Sequence, residues 1–339
     1  MSSNLTASWP VGLICVSDRR LTDLLTGKIR TNRSTKMTIF ECADAHGVIV
    51  YNGIGMDDSG LTPSDWLMEL AEKKLFDLSI ADVLQGIGAD LEIRLKTLRA
   101  KYGASRARHT FIVAAWEHGA PVVYGLSNYE RVDQPGEETK GSEVVRRSTS
   151  PPLTQRLPIR INSSGAYPFR KDLQAISDAI KTSASINRVK ALCVKAVKDI
   201  AYGKSKGKGT VGASCQWALL GPKRAELWFG LDVVGGAIAQ EMPNLINIAA
   251  EVPLGGTFSA RLGGLGQLIT DSYAGVGEAA KVARYDPIQK RAFFSELRCG
   301  ICGSPWPASH RACEVCSYDE HRDRSKRGHR RHGGGRDTS

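Results

Sequence analysis

Val11-Gly12-Leu13-Ile14-Cys15-Val16 runs straight into Ser17-Asp18-Arg19-Arg20. The first six residues are almost continuously apolar, as expected of a strand covered on both faces. Residues 2–8 form a second strand before it, joined through a turn at Trp9-Pro10. After a polar loop from Thr22 to Ser34, a further strand pair is expected at 36–42 and 47–53, turning at Asp44-Ala45-His46-Gly47.

Beyond it the hydrophobic period changes to that of helices. Thr62 caps a helix whose first turn accepts Pro63 and whose apolar stripe is Trp66, Leu67, Leu70 and Ala71. Ser79 caps the next, where Ile80, Val83, Leu84, Ile87, Leu91, Leu95 and Leu98 recur along one face. Strands return at 109–116 and 121–127. The charged Ser/Thr/Pro-rich stretch from Gln134 to Pro158 reads as an exposed loop. A strand at 159–163 then leads to Ser164-Gly165, helices at 170–181 and 185–201, and a last hairpin at 211–220 and 225–231. Gly207 to Gly212 matches the dinucleotide fingerprint, but it precedes a strand instead of a helix and so lacks that motif's context.

Strands, helix pair, strands, helix pair, strands is an α+β order. It fits two packed sheets with helix pairs outside them, not regular alternation around a parallel sheet.

The 339 residues are 42% hydrophobic, enough for a large core. No apolar run approaches the ~20 residues that a membrane helix needs. The start Met1-Ser2-Ser3-Asn4 lacks a basic and then apolar leader, so a cytoplasmic location and reduced thiols are expected. Cys15, Cys42, Cys193 and Cys215 sit in apolar surroundings and read as small core hydrophobes.

Cys299, Cys302, Cys313 and Cys316 differ. Two Cys-x2-Cys knuckles stand ten residues apart, a spacing suited to a closed tetrahedral zinc site of structural type. The segment resembles the zinc ribbons. The formal charge is +11, and from Cys299 onward eight Lys/Arg stand against five Asp/Glu, so most of the excess is spread over the larger part. The tail reads as disordered. It is either a solvated end or a weak phosphate-binding segment.

Asp18-Arg19-Arg20 at a strand end, Thr35-Lys36-Met37 opening the next strand, and Tyr51-Asn52-Gly53-Ile54-Gly55 before the first helix pair resemble the N-terminal-nucleophile hydrolases. Within them the likeness is to proteasome β-subunit-like proteins. The resemblance covers about residues 2–231 and implies a four-layer αββα sandwich. Ungapped alignment from Asp18 back to the start puts Ser2 at the nucleophile position. Removal of Met1 would give Ser2 both a hydroxyl and a free α-amine to act as its base. Lys36 would hold positive charge beside them, Asp18 would orient Lys36, and the Gly53 amide would donate to the oxyanion. Arg20 matches a structural Arg, and Ser164-Gly165 matches the family's Ser-Gly. Lys208 and Val211 stand where the family has an Asp and a Ser. The plainer reading of Asp18 and Lys36 is a buried ion pair between strands.

The resulting division is 2–231 as the hydrolase domain, 232–297 as a Gly/Ala-rich extension, 298–318 as the zinc ribbon and 319–339 as a basic tail. The function implied is amide-bond hydrolysis, peptidase or amidase, within a homo-oligomer that could close into a ring. The alternatives are an inactive proteasome-like scaffold or binding subunit, or a nucleic-acid binder using ribbon and tail.

Overall fold

The computed structural model describes residues 2–22, 28–32, 34–57, 59–134, 144–203, 211–224, 226–232 and 243–248, and the backbone of strands at 267–270, 279–286 and 291–299. In chain order the elements begin with β1 (Ser3–Trp9), β2 (Gly12–Asp18), β3 (Leu21–Thr22), β4 (Ile29–Thr31), β5 (Met37–Glu41) and β6 (Ala45–Gly53). The helices α1 (Pro63–Glu72) and α2 (Ile80–Tyr102) follow, then β7 (His109–Glu117), β8 (Ala120–Ser127), β9 (Arg146–Thr149) and β10 (Arg160–Gly165). Next come α3 (Arg170–Lys181), α4 (Ile186–Tyr202), β11 (Cys215–Leu220), β12 (Leu227–Asp232) and β13 (Asn244–Ile246). The last strands are β14 (Gln267–Thr270), β15 (Ala279–Asp286) and β16 (Arg291–Cys299).

A five-stranded sheet has the order β10-β1-β2-β11-β12, and a six-stranded sheet the order β13-β5-β6-β7-β8-β9. Strand alternation decides what each face meets. In β6, Val48 and Val50 join the core between the sheets, while Ile49 and Tyr51 face the cluster built by α1 and α2. In β7, Ile112, Ala114 and Trp116 point inward, and Phe111, Val113 and Ala115 point to those helices. On the first sheet, Ile176 of α3 and Val189, Cys193, Val197 and Ile200 of α4 share a core with β1, β2 and β11. β2 is buried along its whole length, which is why its sequence is apolar on both faces. Each such side chain, fully buried, contributes roughly 1.5–3 kcal/mol. The chain is a mixed α+β fold.

Local signals set the helix starts. Thr62 and Asp65 form a reciprocal capping box with Pro63 in the first turn, and the Ser79 side chain accepts from the Asp82 amide. Cys15, Cys42, Cys193 and Cys215 are all buried. Among the described residues no helix is long and apolar enough to cross a membrane.

The structure departs from the sequence reading in four places. The stretch read as a polar loop from Thr22 to Ser34 contains β4, whose Thr31 and Ile29 pair with Leu21 and Thr22 of β3. β6 begins at Ala45, because His46 and Gly47 already pair with Glu41 and Phe40, so the turn lies two residues earlier, closed by Cys42 N on the Ala45 carbonyl. The stretch read as a loop from Gln134 to Pro158 contains β9, which pairs with Tyr124 to Ser127 of β8. β9 is the sheet's edge, where polar and basic residues are normal and hide a strand from hydrophobic patterning. Finally, 232–297 is not without elements. β13 joins β5 in parallel, and β14, β15 and β16 form a three-stranded antiparallel sheet. Cys299 ends β16, so the first cysteine of the expected ribbon belongs to a strand that starts at Arg291. Cys302, Cys313, Cys316 and the tail 319–339 lie outside the described residues.

Candidate active site

β1 and β2 are antiparallel neighbours, so the start of one lies beside the end of the other, with Asn4 opposite Ser17. That register brings Ser2 and Ser3 to Asp18. The opening of β5 reaches the same point from the facing sheet and delivers Lys36. Lys36 Nζ donates to Ser2 Oγ at 2.7 Å and lies 3.3 Å from both carboxylate oxygens of Asp18. Asp18 and Lys36 are wholly buried, and Ser2 nearly so.

The carboxylate of Asp18 is also saturated by backbone. Ser3 N donates to Oδ1 at 2.9 Å, and Arg20 N and Gly212 N donate to Oδ2 at 3.0 and 2.9 Å. Lys36 is fixed through its flanks. Its own N–H donates to Gln216 Oε1 at 2.9 Å, while the preceding Thr35 carbonyl accepts from Tyr51 OH at 3.1 Å and Ser64 Oγ at 3.3 Å. Burial pushes the Lys36 ammonium below its ordinary value, and the neighbouring Asp18 partly offsets that. The site therefore holds a lysine that releases its proton more readily than an exposed one.

Ser2 is held by β10. Its carbonyl accepts from Ala166 N at 2.8 Å, and Ser3 Oγ donates to the Ala166 carbonyl at 2.9 Å. Gly165 has φ +75°, and a Cβ there would stand 2.2 Å from the Ser2 carbonyl oxygen, so only glycine fits. Gly53, at the end of β6, has φ +94°, and its Cβ would lie 2.0 Å from the Arg108 carbonyl. Opposite Gly53, His109 spends its N–H on Asn128 Oδ1 and its carbonyl on Asn128 N and Ser127 Oγ, all on the β8 side. Gly53 and His109 are thus a non-hydrogen-bonded pair of the ladder, so the Gly53 amide is not spent on His109.

Of the expected residues, the structure joins Ser2, Asp18 and Lys36 directly. Ser164 is one step removed. Its Oγ accepts from Asn52 Nδ2 and, at 3.4 Å, from Asn4 Nδ2, and no hydrogen bond to Ser2 is among its contacts. Arg20 plays a bracing part, with Nε donating to Asn32 Oδ1 at 2.7 Å. Val211 is buried, and Lys208 lies outside the described residues.

Sequence reasoning missed Gln216, Gly212, Asn52, Tyr129 and Glu130. For Asn52 a signal existed: it takes the inward position after Val48 and Val50, so an amide interrupts an apolar alternation. Gln216 and Gly212 had none, because their partners are remote in sequence.

For metals, Asp44, Glu117 and His118 place ligand atoms within 4.8 Å of one another, at adjoining turns of the six-stranded sheet. Asp44 Oδ1 is already engaged with Ile80 N at 2.7 Å.

No family model matches the chain, and no curated protein does. Among solved structures it is similar to Anbu (ancestral beta-subunit) from Yersinia bercovieri, at 10% identity and TM-score 0.44, over 67% of this chain and 86% of that one. It is also similar to the helical assembly of the Anbu complex from Pseudomonas aeruginosa, at 12% identity and TM-score 0.42, over 65% and 81%. Anbu from Hyphomicrobium sp. strain MC1 matches at 9% identity and TM-score 0.40, over 65% and 82%. Overlap this loose carries no weight for the chemistry, which rests on the side chains around Ser2.

Proposed function

We propose that the chain is an amide-bond hydrolase, a peptidase or amidase, with Ser2 as N-terminal nucleophile in a four-layer αββα sandwich. The observation that carries this is the 2.7 Å contact between Lys36 Nζ and Ser2 Oγ, with Lys36 anchored on a buried Asp18. An ion pair that served only to hold two strands would have no need to place its ammonium on a terminal hydroxyl.

Loss of Met1 frees the Ser2 amine. An α-amine has an ordinary pKa of ~7.7–8.0, so near neutrality much of it can accept a proton. Ser2 Oγ attacks the substrate carbonyl carbon and passes its proton to that amine. The charge moves to the carbonyl oxygen, where the Gly53 amide donates. Collapse breaks the carbon–nitrogen bond, and the ammonium returns its proton to the leaving nitrogen. Water then attacks the Ser2 ester, with the same amine taking and returning a proton. Lys36, when charged, keeps the amine's proton affinity low through like-charge repulsion.

A structural zinc ion at Cys299, Cys302, Cys313 and Cys316 belongs to the same reading. Four thiols in two close pairs suit zinc. When bound, the ion would contribute folding energy to a segment with few apolar residues of its own. Homo-oligomeric assembly and a cytoplasmic location complete the proposal.

The test compares mature protein beginning at Ser2, the same chain with one extra residue ahead of Ser2, and Ser2→Ala. Only the first should be acylated at Ser2 by a β-lactone probe, with the site mapped by mass. Its rate should rise with pH as the amine loses its proton, with a midpoint below the free-amine value. Equal labelling of the extended form would show that the amine is not the base.

A further inference from the structure

The inward-facing residue just before Gly53 is Asn52, which is 1% exposed. Its side chain is tied on every side. Nδ2 donates to Ser164 Oγ and, at 2.9 Å, to Glu130 Oε1, while Oδ1 accepts from Tyr129 OH at 2.5 Å. Both amide hydrogens are thereby used, together with one acceptor lone pair. Glu130 Oε2 in turn accepts from Gly165 N at 3.4 Å. Gly165 is the residue whose absent side chain lets β10 close on the Ser2 carbonyl, and its Cβ would stand 3.2 Å from Asn52 Nδ2.

A second branch reaches Asp18. Ser164 Oγ also receives Asn4 Nδ2, and Asn4 Oδ1 accepts from Ser17 Oγ at 2.7 Å. Ser17 and Asp18 are consecutive. One buried network thus links the end of β6, the strand that holds Ser2, and the strand that carries the lysine's anchor. Glu130 is 6% exposed and, among the described residues, pairs with no cation. Both of its carboxylate oxygens are spent on groups that flank Gly53 and Ser2: Oε1 on the Asn52 amide and Oε2 on the Gly165 N–H.

We propose that Asn52, held by Tyr129 and Glu130, is the positioning residue that sets the distance between the Gly53 amide and Ser2 Oγ. This rests on the reading of Ser2 as nucleophile and Gly53 as oxyanion donor. Asn52 does not touch the reacting atoms. It fixes the peptide plane that it shares with Gly53, on one side, and the β10 backbone that clamps Ser2, on the other. An oxyanion donor works only if it is in place before charge develops, and misplacement by about 1 Å can cost about 10²-fold in rate.

The experiment uses the mature full-length chain and a β-lactone that acylates Ser2. It measures the limiting acylation rate and the half-saturating probe concentration separately, across pH. Asn52→Ala should lower the limiting rate about 10²-fold, and Tyr129→Phe, which removes the hydrogen bond to Asn52 Oδ1 and keeps the ring, about 10-fold. The half-saturating concentration and the pH midpoint should stay where they are, because neither probe binding nor the amine is altered. A peptide boronic acid, whose tetrahedral adduct presents an oxyanion, should lose affinity in parallel with the rate. A purely structural network would instead lower the melting temperature and leave the limiting rate of the folded fraction intact, and that result overturns the proposal. If Asn52→Ala does not fold, Tyr129→Phe decides, and an unchanged limiting rate there also overturns it. A wild-type chain that takes no label at Ser2 sinks the nucleophile reading, and this proposal with it. A labelled wild type with unaffected variants sinks this proposal alone.

Discussion

Lys36 Nζ stands between Ser2 Oγ, at 2.7 Å, and the two oxygens of Asp18, each at 3.3 Å. The shorter contact is to the neutral hydroxyl, not to the carboxylate. Asp18 is free to be the looser partner because three backbone amides already bind it.

Asp18→Asn removes the only carboxylate within salt-bridge distance of Lys36 among the described residues. An ammonium left uncompensated in a dry core costs about 3–5 kcal/mol. Urea denaturation at neutral pH should show a loss of that size, together with near-complete loss of Ser2 acylation. A loss under about 1 kcal/mol, the range of surface pairs, would mean that the pair is better solvated than its burial implies.

Gly165→Ala should be harsher than an ordinary glycine substitution. It adds the strain of a left-handed residue, about 1–2 kcal/mol, to a direct overlap with the Ser2 carbonyl. Thermal melts should show a clear drop, and hydrogen exchange should locate the loosening at β1 and β10. Gly119→Ala is the comparison, since φ there is +78° but nothing lies within 4 Å of the new methyl. Similar losses in both would show that the close approach at Gly165 adds nothing.

His109 is fully buried among Tyr51, Trp66 and Phe111, and neither ring nitrogen has a hydrogen-bond partner among the described residues. Burial lowers its pKa from 6.5 to about 3. Between those values the unfolded chain binds a proton that the folded chain refuses, so stability falls as pH drops through that window. His109→Phe removes this penalty. At pH 5 the variant should gain about 2 kcal/mol over the wild type relative to the comparison at pH 7.5. Urea midpoints at the two pH values read this directly, and a gap that does not change with pH refutes it.

Purified protein should carry about one zinc per chain, bound by four thiolates. Cys302→Ser should release it while the melting of the sheets that hold Ser2 stays nearly unchanged, because the two folding energies are separate. Elemental analysis without metal, with all four cysteines alkylated under native conditions, would remove the ion from the account.

Local physics in the sequence determined a good deal. The two-residue alternation in β6 and β7 and the helical stripe of α2 follow from each segment's own pattern. The starts of α1 and α2 are set by a cap and a partner three residues away. Those signals suffice for an α+β order and for the neighbourhood of Ser2 and Asp18, which one tight turn brings together. The polar edge strand β9 and the short β13 stayed hidden, since one lacks an apolar face and the other gains its stability from β5. The site itself was decided by tertiary structure. Ser3 Oγ meets the Ala166 carbonyl across 163 residues, Gly212 N meets Asp18 across 194, and Gln216 meets Lys36 across 180. No local pattern encodes such pairs, because each buried polar group is satisfied only once both sheets have packed and water has left the space between them.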